Sequence, residues 1–91
     1  MNRTDEALLI LAEECAEVIQ AISKCQRFGI DVCKPGKPRT NREHLETELG
    51  DVLAMIEILR DDLGLVSWDS IETSRVQKRE KLKTWSNLFK E

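Results

Sequence analysis

The chain has 91 residues, 34% of them charged, with a net charge of -3 and a pI near 5.2. That length predicts one domain, 1–91, whose core is thin on its own, and the acidic balance supplies no general attraction to nucleic acid polymers or anionic membranes. The longest apolar run, Ala7 to Ala12, falls far short of the roughly 20 residues that cross a bilayer, and MNRTDE lacks the basic-then-apolar order of a signal peptide, so the chain reads as cytoplasmic.

Three segments have helical periodicity and none alternates like a strand, which predicts an all-α antiparallel helical bundle. The first helix is expected from about Asp5 to Phe28, stopped by Gly29. IDVCKPGKPRT, with two prolines and a glycine, reads as a loop. Its PGKP is too short for the GxxxxGK[ST] of a P-loop. The second helix is expected after Thr40, capped by a Thr40/Glu43 capping box, and runs to about Leu63 before Gly64. A third, capped by Ser67 or by Asp69 with Glu72, is expected to end near Phe89.

The first two helices each carry two stripes, and the third carries one. On the first, Leu8, Ala12, Cys15, Ile19 and Ile22 form one apolar stripe, while Ile10, Glu14, Glu17, Ala21 and Cys25 form a second with acids in its middle. On the second, Leu45, Leu49, Val52, Ile56, Leu59 and Leu63 form the core stripe, and His44, Glu48, Asp51, Met55 and Ile58 run beside it. The third aligns Ile71, Arg75, Lys78, Leu82, Trp85 and Phe89. A single chain is hard pressed to cover all of these, which predicts a homodimer or homotetramer. Cys15, Cys25 and Cys33 form no zinc spacing with His44, and Cys15 and Cys25 read as small buried apolar groups. Gly50, in the middle of a helix, reads as a point of close helix approach. His44 reads as a surface or capping group.

Glu14 with Glu17, and Glu48 with Asp51, are each one helical turn apart. Packed antiparallel, the first two helices would bring the four together. Such carboxylates repel one another unless a hard divalent cation relieves them, and Mg2+ is the natural choice with Mn2+ a substitute. Glu13, four residues before Glu17, is also compatible with convergence. The competing reading is that all four acids are solvated on the faces of a noncatalytic helical interaction module. Cations suited to phosphate are Arg75, Lys78 and Lys81 on the third helix, and Lys24 and Arg27 at the end of the first.

EECAE followed by ELGD resembles the E-E-x-x-E and E-x-x-D motifs of the MazG-like, all-α nucleoside triphosphate pyrophosphohydrolases, and the similarity extends over about residues 5 to 63. The resemblance implies hydrolysis of a nucleoside triphosphate, in particular a dNTP, to monophosphate and pyrophosphate, in house-cleaning of nucleotide pools. It implies Glu14, Glu17, Glu48 and Asp51 as magnesium ligands, with Glu13 placed to orient or deprotonate water. It also implies an oligomer in which basic residues of one chain lie near the acids of another.

Overall fold

The computed structural model describes residues 1–90. The chain is all-α: α1 spans Arg3–Phe28, α2 spans Asn41–Glu57 and runs on into a π-helical turn, Ile58–Asp62, and α3 spans Trp68–Trp85. α1 starts two residues earlier than expected because Asn2 caps it, its Oδ1 accepting from the Asp5 N–H at 2.8 Å. Gly29 ends it at φ 103°, a backbone value that strains any residue with a Cβ. The expected capping box opens α2: Thr40 Oγ1 accepts from the Glu43 N–H, and the Glu43 carboxylate accepts from the Thr40 N–H, both at 3.1 Å. Ser67 caps α3. That helix stops at Trp85 rather than near Phe89: Ser86 takes extended backbone geometry, φ -140° and ψ 172°, while its hydroxyl donates to the Leu82 carbonyl.

α1 and α2 form an antiparallel hairpin. Cys25 and Gly29 meet Asn41 at the loop end, the four acids meet in the middle, and Ala7 packs with Met55 and Leu59 at the far end. The residues turned inward on α1 are Ala7, Leu11, Glu14, Val18, Ala21 and Cys25, and on α2 Asn41, Leu45, Glu48, Val52, Met55 and Leu59. Both sets alternate spacings of three and four, the seam of two long-packed helices.

This seam corrects the expected core on α2, where Leu49 is 45% exposed while Glu48 and Met55 of the neighbouring stripe are buried, and on α1 it leaves the purely apolar stripe outside. Leu8, Ile19 and Ile22 are 49%, 67% and 41% exposed, Cys15 is exposed as well, and the acid-bearing stripe faces α2 instead. Periodicity marks which residues share a face and leaves open which face meets which neighbour. Small Ala7 and Ala21 let the backbones come close along the acid-bearing side. Gly50 is not a point of close approach either, since a Cβ built there would meet nothing within 4 Å.

α3 buries none of its residues. The Cα radius of gyration is 16.1 Å, against about 12 Å for a compact chain of this length. No helix among the described residues is long and apolar enough to cross a membrane.

Ala21 has no exposed surface, so Ala21→Leu overpacks the seam and is expected to cost about 1–3 kcal/mol in urea unfolding. Thr40→Ala, which breaks the capping box, is expected to cost about 1 kcal/mol. An Ala21→Leu protein as stable as the parent would show that α1 does not pack on this face.

Candidate metal centre

Glu14 sits at a seam position of α1 and Glu48 at the facing position of α2, with Glu17 and Asp51 one turn along each helix. One carboxylate oxygen from each of the four lies within 4.8 Å of all the others. Glu48 is buried, only 8% exposed, and Glu14 is half-buried, while Glu17 and Asp51 open to solvent. The second oxygens of Glu14 and Glu48 are buried without any hydrogen-bond partner. Orphaned acceptors of this kind are costly unless a donor or cation meets them.

The electrostatics follow from the crowding. Burial pushes the Glu14 carboxyl above the usual range, and the charges of Asp51, Glu48 and Glu13 push it further. Glu17 is raised first by the Glu48 carboxyl group beside it, which favours a proton on one of the two, and then by the charges of Glu14 and Glu48. No lysine or arginine pairs with any of the four among the described residues. An all-oxygen donor set with unmet lone pairs and mutual repulsion suits a hard divalent cation.

The matching family is the MazG nucleotide pyrophosphohydrolase domain, over residues 3–82. The chain belongs to that family. No curated protein and no solved structure matches it. The acidic cluster of this MazG domain is thus a candidate divalent-metal centre in a hydrolase-family chain, and the two motif pairs legible in the sequence supply all four of its residues.

The other residues singled out from sequence divide. Glu13 is exposed and outside the four, yet near enough for its charge to act on Glu14. His44 is neither a cap nor a free surface group: its Nε2 lies 3.2 Å from Glu48 Oε1, half-buried. Lys24 lines a cavity at the loop end of the hairpin, and Arg27 stacks over Phe28 at 4.9 Å. On α3, Arg75 is paired with Glu72, its Nε donating at 2.9 Å, and Lys78 and Lys81 are exposed. None of these three lines the loop-end cavity. Lys34, Lys37 and Arg39, which do line it, were missed from sequence. The available signal was charge: between Glu17 and Glu43 the chain carries six cations and one acid.

Folding raises the pKa of Glu14, so the native state holds its proton to higher pH than the unfolded chain. Its contribution to stability is therefore present at low pH and lost as pH rises through the raised value. Glu14→Gln, which keeps the shape and deletes the charge, is expected to raise the thermal midpoint of the metal-free protein at neutral pH. The gain should shrink toward zero near pH 4. A scanning-fluorimetry series of both proteins against pH checks this, and a midpoint lowered at neutral pH would contradict the crowding.

Proposed function

We propose that the chain, acting as one catalytic domain over 1–91, hydrolyses a nucleoside triphosphate between its α- and β-phosphates with Mg2+, or Mn2+ in its place, at the four-acid cluster. The observation that carries this reading is the pair of buried, partnerless carboxylate oxygens on Glu14 and Glu48 inside a four-acid cluster of a MazG-family chain. A bound ion supplies positive charge against phosphate oxygens and acidifies water. Glu14, Glu17, Glu48 and Asp51 hold it. Glu13, free in solvent beside them, takes the proton as water oxygen bonds to the α-phosphorus. The bond from that phosphorus to the bridging oxygen breaks, and the bridging oxygen leaves with the electron pair as part of pyrophosphate. The family resemblance supports a dNTP as substrate and a house-cleaning role in nucleotide pools.

The active unit in this reading is a homodimer or homotetramer. The chain exposes 7106 Å², against about 5,400 Å² for a compact monomer of its mass, an excess comparable to one partner's share of a large obligate interface. The exposed apolar residues include Ile19, Leu49, Leu53 and Val76, spread over all three helices. A second copy covering them can bring Arg75, Lys78 and Lys81 of its α3 toward the acids of the first.

Incubation with a panel of NTPs and dNTPs, separating monophosphate plus pyrophosphate from diphosphate plus phosphate, is expected to show metal-dependent release of pyrophosphate. Glu17→Gln and Asp51→Asn should each lower kcat/KM by more than about a hundredfold, because even outer partners of a metal ligand are worth 10–100-fold, with a metal-free thermal midpoint that is not lowered. No turnover with any nucleotide would remove the reading. For assembly, light scattering coupled to gel filtration should return two or four times 10.5 kDa, and a stable monomer at assay concentrations would remove that part.

A further inference from the structure

Between Glu17 and Glu43 the cations are Lys24, Arg27, Lys34, Lys37, Arg39 and Arg42, and the sole acid is Asp31. In the fold that acid is already spent on Arg42, whose Nε and Nη2 donate to its two oxygens at 2.9 and 3.2 Å. The remaining five cations have no carboxylate partner among the described residues. Four of them, Lys24, Lys34, Lys37 and Arg39, line one open cavity of about 410 Å³ together with Asn41 and His44.

The loop is built to hold two of these charges together. Lys34-Pro35-Gly36-Lys37 closes with the Lys37 N–H donating to the Lys34 carbonyl at 2.9 Å, and Gly36 has φ 75°. Proline then glycine at the two central positions is the arrangement of a type II turn, which brings its first and last residues within 7 Å. The turn holds the two backbone attachment points close, so one anion can lie within reach of both side chains. Arg39 is likewise positioned, its Nη1 donating to Thr47 Oγ1 at 2.9 Å.

Backbone groups offer such an anion little. At the start of α2 the Asn41 and Arg42 N–H groups already donate to the Val32 and Ile30 carbonyls, and that of Glu43 to Thr40 Oγ1. Recognition there falls to the lysine and arginine side chains. The cavity also adjoins the acids: His44 forms part of its wall and touches Glu48 at 3.2 Å. A phosphate chain with one end at the acidic cluster therefore has the cationic cavity as its next neighbour along the hairpin.

We propose that this cavity is the subsite for the β- and γ-phosphates of the nucleotide, the pair released as pyrophosphate, with Lys34 and Lys37 as its main binding residues. The proposal rests on the pyrophosphohydrolase reading and assigns the phosphate end of that site. Two readouts test it: calorimetric titration of pyrophosphate in the presence of Mg2+, and steady-state hydrolysis of a nucleoside triphosphate. Both are applied to the parent, to Lys34→Ala/Lys37→Ala and to Lys34→Arg/Lys37→Arg. The alanine pair is expected to weaken pyrophosphate binding by about tenfold or more, as the loss of charge-assisted hydrogen bonds implies, and to raise KM for the nucleotide. The arginine pair should restore most of both. Both lysines are exposed and the turn is closed by backbone, so an unchanged thermal midpoint confirms that folding is intact. Active parent enzyme with unchanged pyrophosphate affinity and KM in the alanine pair would overturn the subsite alone. A parent that hydrolyses no nucleotide would overturn the underlying reading, and the nucleotide assignment with it.

Discussion

Four carboxylates forced together across a two-helix seam are the constraint around which this chain is organised. Glu14 and Glu48 occupy positions that in an ordinary helix pair would hold leucine or isoleucine, and each has an oxygen shut away from water without a partner. Such an arrangement opposes folding, through repulsion and desolvation at once. It is tolerated because the seam is secured on either side. At one end Ala7, Met55 and Leu59 form the apolar cluster. At the other, Asn41 ties the helices through its Nδ2 bond to the Gly29 carbonyl at 2.9 Å and its own carbonyl contact with Cys25.

The hairpin is thereby divided into zones along its length: apolar, then acidic, then basic. The basic zone is a consequence of the connection between the helices. A loop of residues 29–40 must reverse the chain, and the turn residues that do so bring Lys34, Lys37 and Arg39 over the end of the seam, next to Lys24 on the last turns of α1. The acidic charge and the basic charge do not neutralise each other by direct pairing; His44 stands between them. A nucleotide triphosphate with its divalent cation has the complementary order, positive against the acids and negative against the lysines.

The same constraint explains the unused apolar surface. With α1 and α2 committing their acid-bearing faces to each other, the more conventional stripe of α1, Leu8, Ile19 and Ile22, is left outside. α3 contributes no buried residue of its own. The hydrophobic effect favours covering such faces, and the helices among the described residues leave them open.

Much was settled by the sequence alone. The helices, the loop, the Thr40/Glu43 capping box and the all-α class follow from local chemistry: side chains that cap, glycines that permit positive φ, and a period near 3.6. The two acid pairs were equally legible, because a separation of three on a helix fixes a shared face whatever surrounds it. Tertiary structure decided what depends on rotation and on distant contact. It turned the acid-bearing stripe of α1 inward and Leu8, Ile19 and Ile22 outward, left Gly50 in open space, and gathered Lys34, Lys37 and Arg39 at one cavity. Periodicity assigns residues to faces and carries no information about how two helices are rotated against each other, and a loop's charges acquire a common position only when its turns are closed.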